Sequence, residues 1–224
     1  MDHSFETISA QAGHVPGSSP DVTSAIHLST TFHYPPTGEA PTGFTYSRES
    51  NPTRKQVELT LAQLEHGADA AAFASGSAAA QAVFFSLKPG DHVIANIDVY
   101  SGVRSMLKNL FMPWGLEVTF ADLTRIENLH AALKPNTRLV WSESPTNPQL
   151  NIIDLAAIIA VCKPLGIRTA IDNTFATPAL QNPLLLGADM VMHSTTKFLA
   201  GHSDLTGGAL NTREKNEWWE RIRF

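Results

Sequence analysis

Alternation between short apolar runs and longer helical segments dominates the sequence from residue 70 to residue 210. Strands separated by helices of this length predict an α/β fold with a mostly parallel, doubly wound sheet. The predicted strands cover residues 70–74, 92–97, 117–120, 138–141 and 168–171, a run that begins at Met190, and residues 207–210. The predicted helices cover residues 78–87, 102–112, 126–133 and 153–165, and a polar helix begins at Arg213.

The first 50 residues lack this alternation and are rich in proline, namely Pro16, Pro20, Pro35, Pro36 and Pro41. A segment of this composition cannot fold a core of its own, so we expect residues 1–50 to form an extended arm that contacts a neighbouring subunit. We expect residues 51–224 to form one domain. Its first helix should begin at Pro52, because proline suits the first turn of a helix, and should end at Gly67.

Composition and charge disfavour several classes of partner. The net charge of -5, the pI near 6.0 and the scattered Lys and Arg residues disfavour nucleic acid. No apolar run approaches the roughly 20 residues of a membrane-spanning helix, and the N-terminal residues lack the apolar core of a signal peptide. Cys162 is the only cysteine, so no intrachain disulfide can form. The sequence therefore predicts a soluble, cytoplasmic protein without nucleic-acid or membrane partners.

A lysine follows one predicted strand within the stretch DMVMHSTTKFLAGHSD, residues 189–204. Ligands of open α/β sheets bind beyond the carboxyl ends of the strands, where Lys197 should lie. The hydroxyls of Ser194 and Thr196 can hold a phosphate while the amine bonds to the group that the phosphate anchors. An aldehyde cofactor held as an imine on lysine, such as pyridoxal phosphate (PLP), needs this arrangement.

Asp172 directly follows the predicted strand 168–171. A carboxylate in a largely apolar setting usually needs a cationic partner. The protonated pyridine nitrogen of PLP would be such a partner, and the pairing would keep the ring positive so that it accepts electrons. The alternative is that Asp172 only caps the following loop, residues 173–174.

The sequence Ser75-Gly76-Ser77 leads from a predicted strand into a predicted helix. The first free N–H groups of that helix would point at an anion, and Gly76 would let a phosphate approach closely. The alternative is an ordinary strand-to-helix turn. The stretch lacks the glycine spacing of a dinucleotide fingerprint, so NAD binding is not supported.

Further candidates follow from side-chain chemistry. Tyr100 comes after a predicted strand and offers a flat ring that could stack on a pyridine. Arg48, beside Tyr46 in the arm, is by its chemistry the best phosphate partner there. Glu143 and Asn147 lie in a loop that two prolines stiffen, which suits a wall that positions a ligand. Taken singly, Tyr100 is more often structural and Arg48 would be a surface residue.

Six stretches together resemble the Cys/Met-metabolism branch of PLP enzymes, the cystathionine γ-synthase and γ-lyase family. In chain order they are YSRESNPTR from Tyr46, FASGSAA from Phe73, DVYSGVR from Asp98, SESPTNP from Ser142, IDNTFATPALQNPLLLGAD from Ile171 and HSTTKFLAGHSD from His193. Any one of them is weak, but all six in this order are specific. The resemblance covers nearly all 224 residues and implies the large domain of an aspartate-aminotransferase-like (fold type I) PLP enzyme.

The resemblance implies a role for each matched residue. The implied catalytic residues are Lys197 as the Schiff-base lysine and proton shuttle, Asp172 as the partner of the pyridine nitrogen, and Tyr100 as the stacking tyrosine and a candidate proton relay. The other implied cofactor-binding residues within the subunit are Gly76, Ser77, Thr174, Ser194 and Thr196. The remaining matches are Tyr46 and Arg48, which would reach the phosphate of a neighbouring subunit, and Glu143 and Asn147, implied as second-layer and substrate-side groups. The resemblance therefore implies a homo-oligomer, a dimer of dimers whose active sites lie at subunit interfaces.

The chain departs from the family pattern in several places. The residues after Tyr100 usually read Gly-Gly-Thr, where this chain has Ser101-Gly102-Val103. Methionine γ-lyases often carry a cysteine at the position of Gly102, which disfavours that activity. Several γ-lyases place an acid before the tyrosine of YSR, where this chain has Thr45.

Family members are also considerably longer than this chain. We expect the smaller C-terminal domain, whose arginine holds the substrate carboxylate, to be absent. The last predicted helix is rich in charge and tryptophan, and Trp218, Trp219 and Phe224 need burial. This ending predicts either a truncated chain or a partner that covers it.

The resemblance implies a PLP-dependent trans-sulfuration enzyme that acts on small amino acids. We expect cystathionine γ-synthase activity, in which cysteine replaces the γ substituent of an O-acylhomoserine. Cystathionine γ-lyase and O-acylhomoserine sulfhydrylase share the same motifs and stay open.

Hypotheses from other classes are weaker. The spacing of Ser194 and Lys197 fits the S-x-x-K motif of serine acyl-enzymes, but the S-D-N and K-T-G motifs of that class are missing. His193, His202 and Asp204 match no common metal-site spacing, so we predict no metal. An inactive fragment or a binding module is a further alternative.

Overall fold

The computed structural model describes residues 4–12, 23–33, 36, 38 and 43–223. Seven strands, numbered β1 to β7 in chain order, form one sheet within these residues. They span Asp69–Phe73, His92–Asn96, Glu117–Ala121, Thr137–Glu143, Arg168–Asp172, Met190–His193 and Gly208–Thr212. Every one of them overlaps a strand predicted from the sequence.

The sheet is mostly parallel and has the order β1-β7-β6-β5-β4-β2-β3. Among these strands only β7 runs antiparallel to its neighbours, which are β1 and β6. The carboxyl ends of β4, β5 and β6 therefore meet at one edge, where Asp172 pairs with Glu143 on one side and with Met192 on the other. The predicted mostly parallel sheet is confirmed.

Ten α-helices, numbered α1 to α10, surround the sheet in the described residues. They span Phe5–Gln11, Pro52–Leu64, Gly76–Phe85, Ser101–Met106, Met112–Trp114, Ile126–Ala132, Leu155–Cys162, Thr177–Leu180, Pro183–Leu186 and Glu217–Arg223. A π-helical turn, Leu107–Phe111, joins α4 to α5, and a 3-10 turn, Lys163–Leu165, follows α7. None of the helices in the described part of the chain is long and apolar enough to cross a bilayer.

Apolar side chains pack on both faces of the sheet, because successive strand residues point to opposite faces. Trp141 of β4 packs with Phe84 of α3 and with Phe111 in one core. The preceding residue, Val140, belongs to a second core with Ile158 of α7. Helices thus cover both faces, which confirms the predicted doubly wound arrangement.

Side-chain caps determine where the predicted helices begin. The Asn51 Oδ1 accepts the N–H of Thr53 at 2.9 Å, and α2 starts where the sequence predicts. The Asp154 Oδ1 accepts the N–H of Ala157 at 3.0 Å, so α7 begins after Asp154 rather than at residue 153. The helix predicted over 102–112 is instead divided by the π-helical turn. The sequence did not predict α1, α8 or α9.

The N-terminal arm is not extended throughout, contrary to the prediction for residues 1–50. A helix, α1, forms there because Ser4 supplies a side-chain cap to its first turn. Residues 23–33 contain no helix or strand beyond one bridge between Thr31 and Tyr46. Four of the prolines that suggested an extended arm lie outside the described residues, namely Pro16, Pro20, Pro35 and Pro41.

The tryptophans of α10 are buried by the chain itself. Trp218 and Trp219 are 4% and 0% exposed. The Nε1–H of Trp218 donates to the Ser86 hydroxyl at 2.6 Å, and that of Trp219 donates to Asp69 at 3.1 Å. The prediction that these two tryptophans lack burial within the chain is wrong, because α10 folds back onto α3 and β1, a return that the local sequence does not show. Phe224 lies outside the described residues.

Candidate functional site

A cavity of about 210 Å³ lies past the carboxyl ends of β4, β5 and β6. Its walls come from the turn between β1 and α3, from the start of α4, from the loops after the three strands, and from Thr206 before β7. Ten predicted site residues line it, namely Gly76, Ser77, Tyr100, Glu143, Asn147, Asp172, Thr174, Ser194, Thr196 and Lys197. The fold thus brings together residues from every stretch that the sequence singled out, except the arm.

Lys197 lies in a compact turn after β6. Its N–H donates to the carbonyl of Ser194 at 3.1 Å, and the N–H of Gly201 donates to the Lys197 carbonyl at 2.8 Å. The Lys197 side chain is exposed and borders both the central cavity and an adjoining one of about 640 Å³, which is also lined by Phe198 and Asp204. The amine is therefore accessible to a ligand in either space.

Asp172 is 5% exposed at the end of β5. Its Oδ1 accepts the N–H of Thr174 at 3.0 Å and the Thr174 hydroxyl at 2.5 Å. Burial raises the pKa of Asp172, and the bonds from Thr174 oppose that rise. No Lys or Arg side chain of the described residues forms an ion pair with Asp172. A cation bound in the cavity would supply the partner that a buried carboxylate needs.

The start of α3 can bind an anion. The Ser75 Oγ accepts the N–H of Ala78 at 3.1 Å, which leaves the N–H groups of Gly76 and Ser77 without a partner inside the helix. A Cβ at Gly76 would lie 2.7 Å from the Cβ of Ser194. Glycine is therefore needed for α3 to approach the Ser194 turn this closely.

The two hydroxyls predicted to hold a phosphate differ in what they already bind. The Thr196 hydroxyl donates to the carbonyl of Gly207 at 3.2 Å and accepts the Gly207 N–H at 3.0 Å. Ser194 donates its backbone N–H to Thr174 at 2.9 Å, while its hydroxyl has no protein partner among the described residues. Ser194 is therefore free to donate to an anion, whereas Thr196 ties the Lys197 turn to the segment before β7.

Tyr100 is anchored through its backbone at the start of α4. Its N–H donates to the Glu143 Oε2 at 2.6 Å. Its ring, 43% exposed, lies against Gly102, where an added Cβ would stand 2.5 Å from the Tyr100 Cε1. The chain thus keeps a glycine at the position where the tyrosine ring requires one, although Ser101 replaces the first glycine of the usual Gly-Gly-Thr.

Glu143 shares the cavity with Asp172, and the two are paired neighbours on β4 and β5. Burial, followed by the negative charge of Asp172, raises the pKa of Glu143 to about 8, against the opposing N–H groups of Tyr100 and Asn147. Two adjacent buried carboxylates resist simultaneous ionisation. Burial raises the pKa of both carboxyl groups, so the pair favours holding one proton over losing both.

Tyr46 and Arg48 do not line this cavity. Both are exposed, and the Arg48 guanidinium carbon lies 4.8 Å from the ring centroid of Tyr46. Their loop is held by Arg54, which donates to the carbonyls of Ser47 at 2.6 Å and Glu49 at 2.7 Å. The sequence reading did not single out Arg54, although it closes the YSRESNPTR stretch.

Both histidines weighed as metal ligands have other partners. The His193 Nε2 lies 2.5 Å from the Glu65 Oε1, and the His202 Nδ1 lies 3.0 Å from the carbonyl of Ala200. A group of three or more His, Cys, Asp or Glu side chains able to hold a metal does not occur in the residues that the structure describes. Glu65 was not recognised from the sequence, because nothing local marks a partner of His193.

Residues 6–224 match the family model of the Cys/Met metabolism PLP-dependent enzymes. A protein of Herpetosiphon aurantiacus named "Probable cystathionine gamma-synthase" is 44% identical over 228 residues, which cover 100% of this chain and 70% of that protein.

Solved structures give the same result. The crystal structure of metB from Corynebacterium glutamicum superposes with a TM-score of 0.95 at 41% identity, over 99% of this chain and 58% of that one. The crystal structure of the "cystathione gamma lyase (CalE6)" from Micromonospora echinospora superposes with a TM-score of 0.93 at 40% identity, again over 99% of this chain and 58% of that one. The predicted large-domain fold of fold type I PLP enzymes is confirmed, and the chain spans little more than half of each solved relative. The chain belongs to the family of Cys/Met metabolism PLP-dependent enzymes.

Proposed function

We propose that the protein is a PLP-dependent trans-sulfuration enzyme that replaces the γ substituent of an O-acylhomoserine with cysteine. The observation that supports this most directly is the shared cavity of Lys197 and Asp172. PLP requires an amine and a carboxylate at opposite ends of its ring, and within the described residues the carboxylate of Asp172 is buried and has no Lys or Arg partner. The relative named as a cystathionine γ-synthase supports the choice of reaction.

The residues present fit the other parts of PLP as well. The N–H groups of Gly76 and Ser77 and the hydroxyl of Ser194 offer donors to a phosphate. Tyr100 offers a ring face, and its backbone is fixed by Glu143. Each portion of the cofactor therefore meets a group of suitable chemistry, which supports the cofactor-binding roles given to these residues.

Bound PLP supplies an electron sink for negative charge at the substrate α carbon. The Lys197 amine takes the proton from that carbon and returns it, and it is placed to do so because its turn holds it at the border of both cavities. Asp172 would pair with the ring nitrogen of PLP and favour its protonated form, and a proton held by the Asp172–Glu143 pair would limit the negative charge there. Glu143 and Asn147 form the substrate-side wall.

We infer that residues 1–50 serve a neighbouring subunit of a homo-oligomer, a dimer of dimers, while residues 51–224 bind the cofactor. Tyr46 and Arg48 are exposed and lie outside the cavity of their own subunit, yet Arg54 holds their loop in place. An ordered, exposed arginine is well suited to the phosphate of a second copy. We place the activity in the cytoplasm, since Cys162 is a free thiol.

Cystathionine γ-lyase is the second candidate, because the Micromonospora relative named as a γ-lyase is nearly as similar as metB. A product assay separates the two. The purified protein is given O-acylhomoserine with cysteine in one reaction and cystathionine alone in another. Cystathionine formed in the first supports the synthase, and keto acid with ammonia formed in the second supports the lyase.

Borohydride trapping tests the cofactor assignment itself. Purified protein is incubated with PLP, reduced and digested, and the peptides are weighed by mass spectrometry. We expect a phosphopyridoxyl group on the peptide with Lys197 and none in Lys197→Ala. Lys163→Ala, at an exposed lysine outside the cavity, should be labelled like the wild type. Labelling at other lysines alone would identify the chain as an inactive fragment or a binding module.

A further inference from the structure

A buried acid lies behind the strand ends that form the candidate site. Glu65 follows α2, and its carboxylate is fully buried. The Glu65 Oε1 lies 2.5 Å from the Nε2 of His193 and accepts the Nδ2–H of Asn173 at 2.9 Å. His193 is fully buried as well. We call these three residues the Glu65 brace.

Burying the polar groups of the Glu65 brace costs free energy, so stability alone does not explain the brace. A carboxylate and an imidazole have both left water, and no Lys or Arg of the described residues pairs with Glu65. The second oxygen of Glu65 and the Nδ1 of His193 also lack a protein partner there. Apolar replacements of such buried pairs are often neutral or stabilising. The brace is better explained by the geometry that it imposes.

That geometry concerns two adjacent strand ends. Asn173 directly follows Asp172 at the end of β5, and His193 directly precedes Ser194 at the end of β6. Asp172 and Ser194 line the cavity, while Asn173 and His193 do not, as alternation along a strand requires. Glu65 therefore holds both strand ends from the side away from the cavity.

A matching connection exists on the cavity side. The Thr174 hydroxyl donates to Asp172 at 2.5 Å and accepts the N–H of Ser194 at 2.9 Å. With Glu65 behind and Thr174 in front, the two strand ends are joined on both sides. These two connections reinforce the backbone pairing of β5 with β6, in which the Asn173 N–H donates to the Met192 carbonyl at 3.0 Å.

We propose that Glu65 is a positioning residue for the cofactor site, because its carboxylate fixes Asp172 relative to the Ser194–Lys197 turn through Asn173 and His193. The proposal rests on the proposed function, since it concerns the cavity that would hold PLP. Glu65 itself touches neither cavity. Replacing Glu65 should therefore change the affinity and the orientation of bound PLP, because it moves Asp172 relative to the Ser194–Lys197 turn.

The test compares Glu65→Ala with Glu65→Gln. The dissociation constant of PLP is measured by absorbance titration, and the visible circular dichroism per bound cofactor reports its orientation. Glu65→Ala should raise the dissociation constant by about ten- to hundredfold, the effect that removing an outer partner has at metal sites. Glu65→Gln should recover most of the loss, since one amide oxygen can accept from both His193 and Asn173.

His92→Ala is the matched control. His92 is also a fully buried histidine, bonded to Thr137 and Thr119 at 2.8 Å each, but it lies at the start of β2, on the opposite edge of the sheet. Its loss should lower the melting temperature without changing the dissociation constant or dichroism of PLP. A merely structural Glu65 would behave like His92.

Several outcomes decide the matter. An unchanged dissociation constant in Glu65→Ala overturns the brace while leaving the proposed function intact, provided that the wild type is labelled at Lys197. No rescue by Glu65→Gln also overturns it, because the effect would then depend on charge. If Glu65→Ala does not fold, Asn173→Ala is used instead, because it removes only the hydrogen bond from Asn173 to Glu65. Wild-type PLP affinity in that variant refutes the proposal. A wild type that binds no PLP refutes the proposed function, and the brace with it.

Discussion

The Glu143 carboxylate accepts the backbone N–H of Tyr100 at 2.6 Å, which joins the end of β4 to the start of α4. The backbone N–H of Glu143 in turn donates to the Asn96 side chain at 3.0 Å, so the end of β2 takes part as well. One side chain thus positions the aromatic wall of the cavity and also stands beside Asp172. Any change in its protonation is transmitted to both.

The first prediction follows from the pKa of Glu143, which is raised from 4.5 to about 8. Folded cofactor-free protein keeps a proton that the unfolded chain releases above pH 4.5. The stabilising contribution of Glu143 is thus fully present below pH 4.5 and is lost as the pH rises towards 8. Glu143→Gln removes this titration, so its free energy of unfolding should fall less over that window, by about 4 kcal/mol. Urea unfolding at several pH values measures it, and parallel curves would contradict it.

The second prediction concerns Asp172→Asn, for which stability and cofactor affinity should move in opposite directions. The cofactor-free variant should gain about 1–2 kcal/mol at pH 8, because an amide costs less than a buried carboxylate without a cation. Its affinity for PLP should drop by about 100-fold, since a buried charge pair can no longer form. Thermal unfolding and PLP titration give the two values.

Asp98→Asn is the control for that variant. Burial alone would raise the pKa of Asp98, but hydrogen bonds from Thr146, Asn96 and Asn151 hold it below its usual value. Its carboxylate is thus favoured by the fold, and the substitution should lower stability. A gain of stability in both variants would contradict the prediction, because it would show that the gain does not depend on the lack of a cation beside Asp172.

The third prediction concerns the contact between α3 and the turn after β6. In Gly76→Ala the new Cβ would meet the Cβ of Ser194 at 2.7 Å, so one element must move. We expect PLP affinity to fall by about tenfold or more, because the donors of the anion site separate. Gly166→Ala is the comparison. Gly166 has φ +65° and no neighbour near its would-be Cβ, so its replacement should cost stability alone. Equal affinity in both variants would refute the role of the contact.

The fourth prediction concerns His92, whose pKa is lowered from 6.5 to about 4 by burial and then by the charge of Lys134. The unfolded chain binds a proton at pH values where the folded protein does not. The stabilising contribution of His92 is thus present above pH 6.5 and is lost as the pH falls towards 4. His92→Gln should weaken this acid sensitivity by about 2–3 kcal/mol. Unfolding curves from pH 7 to pH 4 check it, and an unchanged slope would argue against it.

Most of the sheet could be predicted from the sequence, because apolar strands between helices leave a local pattern. The observed helix boundaries differ from the predicted ones in two places. A side-chain cap at Asp154 sets the start of α7, and the π-helical turn separates α4 from α5. The helices α8 and α9 have four residues each, too few to show a helical period. The return of α10 onto α3 depends on contacts that are distant in sequence.

The candidate site, too, could be predicted from the sequence only in part. Residues such as Asp172 and Lys197 come after predicted strands, so a parallel sheet brings them to one edge. Glu65 and His193 are 128 residues apart, and neither stands in a pattern that names the other. The structure also shows that the Thr196 hydroxyl is bonded to Gly207, whereas the Ser194 hydroxyl has no such bond in the described residues. The sequence alone does not distinguish these two hydroxyls.

The antiparallel strand β7 gives the sheet a distinctive order of assembly. In the described residues β1 pairs only with β7, although β1 is made first and β7 last. A nascent chain must therefore leave β1 without a strand neighbour while the five strands between them emerge from the ribosome. The turn with Gly76 packs against Gly208 of β7 as well as against Ser194, so the wall of the cavity is completed only by the last of the seven strands to be made.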